Sequence, residues 1–90
     1  MDLDHLLTRF FGTADLATLS ADQMGSGIEQ LRLRFGLEKD RGRRFALWSL
    51  MYMLGVSPDL DVAFKTEEDR NAARDFMDMA DRAGDEGANA

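Results

Sequence analysis

The sequence predicts a small all-α bundle of four main helices, over about 3–11, 21–35, 40–54 and 67–83, with short helical connectors and a central apolar third helix. Three observations predict it. Leu3, Leu6, Leu7, Phe10 and Phe11 recur at the spacing of one helical face. Helix-start signals and glycine stops divide the 90 residues into pieces of helical length. The one run that alternates like a strand, Leu31-Arg32-Leu33-Arg34-Phe35, has no partner of convincing length, and a lone strand needs one.

The first helix can be capped by Asp2 or Asp4, with Gly12 placed where a left-handed C-terminal residue belongs. Thr13 to Leu19 has room for one helical turn or two. Ser20-Ala21-Asp22-Gln23 is a capping-box pattern, and Ser26-Gly27-Ile28-Glu29 is a second. Gly25 and Gly27 each cost up to about 1 kcal/mol inside a helix. The longer reading, 21–35, gathers Ile28, Leu31 and Phe35 on one face, with Gly36 as its end. Asp40 caps the third helix, which reaches about Leu54 before Gly55. From Phe45 to Leu54 it is apolar nearly all round, which marks a helix buried on most sides.

Ser57-Pro58 reads as an N-cap and a first helical position opening a short turn to Phe64. Thr66-Glu67-Glu68-Asp69 starts the last helix, with acids where the helix dipole favours them. Ala72, Ala73, Phe76, Met79, Ala80 and Ala83 form its apolar stripe, and Gly84 closes it. Residues 1–84 are thus expected to be one helical domain and 85–90 a frayed polar tail.

Hydrophobic content of 44% with 31% charged residues excludes a disordered chain. The absence of cysteine excludes disulfides, thiolate metal sites and a thiol nucleophile. The acidic start, Met1-Asp2-Leu3-Asp4, lacks the basic, apolar pattern of a signal peptide, and no stretch is apolar enough to span a membrane. A bacterial-type cytoplasm is the expected location. The net charge of −6 disfavours non-specific attraction to DNA or anionic lipid.

That charge is unevenly placed. Between Gln30 and Arg44 lie six bases and two acids, a local +4, so the remainder of the chain carries −10. Arg41, Arg43 and Arg44 crowd the first turn of the third helix, where the dipole already favours anions, and Arg34 lies just upstream. Arg34, Arg41, Arg43 and Arg44 are the candidate partner- or anion-binding residues. The same cluster has an internal reading, in which Glu38, Asp40 and the acid-rich last helix neutralise it.

No catalytic set is visible. His5 has no Ser or Cys partner, and Asp75, Asp78 and Asp81 spiral around their helix as a solvated face, with a weak divalent-cation site as the alternative. Asp59-Leu60-Asp61 begins like a calcium loop, but Phe64 and Arg70 stand where glycine and glutamate are required. Gly25-Ser26-Gly27 lacks the third glycine and the lysine of a phosphate loop. The second and third helices mimic a helix-turn-helix, yet a recognition helix cannot be buried core and also sit in a groove. Six methionines and the apolar girth of the third helix leave room for a dimer or partner interface.

The sequence therefore points to a small non-enzymatic protein-interaction domain, an adaptor or regulator, with no cofactor or metal. Its surface would be exposed apolar positions or the arginine corner, and its occupant a protein partner or a second copy. Binding of nucleic acid or a phosphate anion through that corner is the alternative.

Overall fold

The computed structural model describes the backbone of residues 3–88 and the side chains of residues 3–84. Among them there is no strand. The order is α1 (Leu3–Phe11), a single 3₁₀ turn (Leu16–Thr18), α2 (Ala21–Leu37), α3 (Arg41–Met53), the short α4 (Leu60–Ala63) and α5 (Glu67–Ala88). The chain is an all-α bundle, and no helix is long and apolar enough to cross a membrane among the described residues.

Local chemistry sets most of these ends. The Ser20 hydroxyl accepts from the Gln23 amide at 3.1 Å while the Gln23 side chain accepts from the Ser20 amide at 2.9 Å, so both donors at the start of α2 are satisfied. Asp40 accepts from the Arg43 amide at 2.9 Å and opens α3, and Thr66 accepts from the Asp69 amide at 3.2 Å at the start of α5. Gly12 and Gly55 take the left-handed conformation, at φ 79° and 76°, and turn the chain after α1 and α3.

The core is built around α3. Trp48 is 1% exposed, and Leu47, Leu50 and Met51 are also buried. The Trp48 indole stacks on Tyr52 with centroids 5.5 Å apart and meets Phe64 and Phe76 edge-on at 5.6 and 6.0 Å. α2 supplies Leu31 and Phe35 to this core, α5 supplies Ala73, and α1 adds Leu6, Leu7 and Phe11. Gly27 lets α1 approach: a Cβ there would overlap the Phe11 ring and lie 3.0 Å from the Phe10 carbonyl oxygen. The glycine that weakens α2 is therefore the one that seats α1, and α2 runs through it unbroken.

Several expectations differ from the structure. Gly36 does not end α2, which continues to Leu37. Its close is made by the Glu38 amide bonding the Arg34 and Phe35 carbonyls, and needs no left-handed residue. Ser57 does not cap a helix and Pro58 is not its first residue; Asp59 stands at that position, before Leu60. The Pro58 carbonyl instead faces the Trp48 indole N–H at 3.4 Å. Gly84 does not close α5, which runs on as helix to Ala88. A helical glycine costs about 1 kcal/mol but does not by itself break a helix. Asp2, proposed as a cap, and the last two tail residues lie outside the described residues.

The molecule measures 38 × 37 × 21 Å and exposes 6113 Å². A globular chain of its mass exposes roughly 5,300 Å². The flat shape leaves apolar surface uncovered, though not where the sequence places it. The length of α3 is wrapped by α2, α5 and the segment carrying Val56, Pro58 and Phe64, so only Met53 at its end is exposed among its large apolar residues. The uncovered residues include Leu33 and Leu37 on α2 and Val62 on α4.

Candidate functional site

The four arginines singled out by the sequence divide into two groups. Arg41 reaches across to α5 and forms a fork with Asp69, Nη2 to Oδ1 at 2.7 Å and Nε to Oδ2 at 3.3 Å, with Glu68 at 3.6 Å from Nη2. The bond that Arg41 donates to Asp69 and the adjacent acidic charges raise the Arg41 pKa. The same bond holds the Asp69 carboxyl below its ordinary value, against the opposing effect of burial.

Arg44 is half-buried and structural. Its Nη1 donates to the Phe35 and Glu38 carbonyls at 2.9 and 3.1 Å, and its Nη2 donates to the Ala63 carbonyl at 2.6 Å. The guanidinium lies 4.2 Å from the centre of the Phe35 ring. One side chain thereby satisfies carbonyls at the ends of α2 and α4, and ties both to α3. The notion of a free corner at Arg41, Arg43 and Arg44 does not match this arrangement: two of its three guanidiniums are committed internally.

Arg34 and Arg43 are exposed and form no ion pair among the described residues. They line one cleft of about 140 Å³ together with Arg9 of α1, a residue the sequence reading did not select. No local pattern joins Arg9 to Arg34. Their meeting depends on the Gly27–Phe11 contact that fixes α1 against α2.

This cleft opens into a groove of about 320 Å³ between α1 and α2, since Arg9, Phe10 and Arg34 line both. Leu33 and Leu37 form one wall of the groove and are 60% and 66% exposed. Leu37 also borders a larger depression of about 630 Å³, which Val62, 76% exposed, lines as well. Val62 in turn borders a third groove, of about 560 Å³, lined by Met51, Val56 and Pro58. Leu33, Leu37 and Val62 thus follow one another across the C-terminal end of α2 and onto α4.

Positive charge gathers around the C-terminal half of α2. These grooves and the cleft are lined by eight of the eleven basic residues. Of the acids whose side chains are described, only Glu38 and Asp69 line them. In a chain of net charge −6, the exposed apolar path and the positive charge coincide.

The remaining sequence candidates lie elsewhere. His5 is exposed on α1. Asp81 accepts from the Tyr52 hydroxyl at 2.6 Å, and this bond, then burial, then the charges of Asp81 and Asp78, raises the Tyr52 pKa. No group of three His, Cys, Asp or Glu side chains that could hold a metal ion is found among the described residues. Comparison with known protein families, curated proteins and solved structures finds no match to this chain. The functional reading therefore rests on the geometry of this face.

Proposed function

We propose that the protein is a non-enzymatic interaction domain that docks an acidic, amphipathic helical segment of a partner protein. The segment lies in the groove between α1 and α2 and over the end of α2. The observation that carries this reading is the coincidence of Leu33 and Leu37, one helical turn apart and more than half exposed, with a rim of arginine and lysine. An amphipathic helix offers apolar side chains at that i, i+4 spacing. Carboxylates on its flanks meet Arg9, Arg34 and Lys39, while the apolar contact supplies affinity and the charge supplies orientation and speed of encounter. Burying the exposed parts of the two leucines contributes about 2–4 kcal/mol.

Nucleic acid fits the same face less well. α3, the would-be recognition helix, is buried along Leu47, Trp48, Leu50 and Met51, and the apolar path has no counterpart on a phosphate backbone.

Site-directed photo-cross-linking in the native cell tests the reading. A photoreactive residue at Gln30, inside the groove, is expected to label an acidic amphipathic segment. The same residue at Asp75 on α5 is expected not to label it, and the double variant Leu33→Ser/Leu37→Ser is expected to lose the adduct. Equal labelling from both positions, or an adduct indifferent to the double variant, overturns the proposal. An adduct between two copies of this chain assigns the groove to self-association instead, which also overturns it.

A further inference from the structure

We infer that the cleft formed by Arg9, Arg34 and Arg43 is a binding site for a doubly charged oxyanion of the phosphate monoester class. The inference rests on the docking proposal and deepens it by naming one chemical group that the occupant presents, adding Arg43 to the Arg9 and Arg34 used there.

Three helices each contribute one arginine: Arg9 from α1, Arg34 from α2 and Arg43 from α3. Four of the six other arginines find internal partners among the described residues. Arg41 holds Asp69, Arg44 holds three carbonyls, Arg70 donates to the Phe64 carbonyl at 3.0 Å, and Arg74 donates to Asn71 Oδ1 at 2.7 Å. The three cleft arginines form no ion pair among the described residues, although the chain is rich in carboxylates. Like charges brought to one cleft repel, and a bound anion relieves that repulsion.

The surroundings favour an anion of charge near −2. Among the described residues Glu38 is the one acid lining the cleft, so three cations and one carboxylate leave a formal +2. A phosphate monoester carries about −1.5 to −2 at neutral pH and offers three acceptor oxygens, whereas a single carboxylate carries half that charge. Leu6 and Leu47, each 2% exposed, also line the cleft and limit solvent beneath the charges. The Arg9 guanidinium lies 6.0 Å from the centre of the ring of Phe10, which also lines the cleft. A cleft of about 140 Å³ has room for one oxyanion group and its waters. Because Arg9 and Arg34 are shared with the α1–α2 groove, a phosphorylated side chain on a docked segment reaches the cleft directly.

The test is an NMR titration of the folded protein with inorganic phosphate at constant ionic strength, reading the side-chain Nε–H signals of the arginines. Saturable shifts are expected at Arg9, Arg34 and Arg43, with Arg82 silent. Arg43→Gln and Arg34→Gln are each expected to weaken binding about tenfold, the size of one lost charge-assisted bond. Leu33→Ser/Leu37→Ser is expected to leave phosphate binding unchanged. Shifts that do not saturate, that spread equally to Arg82, or that survive both arginine variants overturn the inference, and none of these results bears on partner docking.

A second arm compares an acidic amphipathic peptide carrying phosphoserine with inorganic phosphate. Tighter peptide binding that falls to the phosphate level in the leucine double variant assigns the oxyanion to a docked segment. Equal binding of the two probes in the unaltered protein assigns the site to free phosphate, supporting the cleft while severing it from the groove.

Discussion

Replacing Arg44 by alanine should destabilise the fold far more than replacing its neighbour Arg43. Arg44 donates to the carbonyls of Phe35, Glu38 and Ala63 and rests on the Phe35 ring. Bonds from a charged donor contribute about 1.5–3 kcal/mol each when measured singly, and they are not additive within one side chain. Losing all three, with carbonyls left at two helix ends, is expected to cost about 3 kcal/mol. For a chain of 60–100 residues, 1 kcal/mol shifts the melting temperature by about 4–8 °C, so Arg44→Ala should melt roughly 12–24 °C lower. Arg44→Lys keeps the charge but not the planar fork, and should recover only part of the loss. Arg43→Ala, at an exposed position, should stay within about 0.5 kcal/mol of the unaltered chain. Thermal melts followed by far-ultraviolet circular dichroism measure all three. If Arg44→Ala and Arg43→Ala melted together, Arg44 would not be the tie between α2, α3 and α4, and the division of the basic cluster would fail.

The two glycines in the first half of α2 should respond in opposite directions. A Cβ at Gly25 meets nothing within 4 Å, so Gly25→Ala should stabilise by up to about 1 kcal/mol, whereas Gly27→Ala pushes α1 off α2 and should destabilise by about 1–3 kcal/mol in urea unfolding. Tyr52 is the only tyrosine, and its phenol should titrate above the ordinary 10.0 in an ultraviolet pH titration, falling back towards that value in Asp81→Ala. A raised acid pKa stabilises the fold below the unfolded value and is lost as pH rises through the folded one, so this contribution disappears in strong alkali. For Asp69 the sign reverses. Its lowered pKa stabilises the fold above the ordinary 3.8 and the benefit fades as pH falls below it, so the melting-temperature gap between the unaltered chain and Asp69→Asn should close in acid.

The helices were legible because their ends are written in local chemistry. Ser20 with Gln23, Asp40, Thr66, Gly12 and Gly55 each act within a few residues of themselves. Gly36 and Gly84 were misread for the complementary reason. A glycine permits a stop without requiring one, and what closes α2 is a pair of backbone bonds from Glu38.

The candidate face was only partly legible. Leu33 stands roughly 200° around the helix from the buried Leu31, so the alternation from Leu31 to Phe35 records two apolar stripes on opposite sides of α2. One of them the fold covers and the other it leaves open. That signal was present, although the pattern did not say which stripe would be buried. Arg9, in contrast, joins Arg34 and Arg43 only through tertiary packing. Its place could not follow from spacing along the chain.

The most direct measurement is calorimetric titration of the segment cross-linked at Gln30 against the unaltered protein and against Leu33→Ser/Leu37→Ser, at about 50 mM and about 300 mM salt. Affinity is expected to fall at least 30-fold in the double variant, from a loss of about 2 kcal/mol or more, and salt is expected to weaken binding to the unaltered chain. A segment that bound both proteins equally, with no dependence on salt, would contradict the proposed docking.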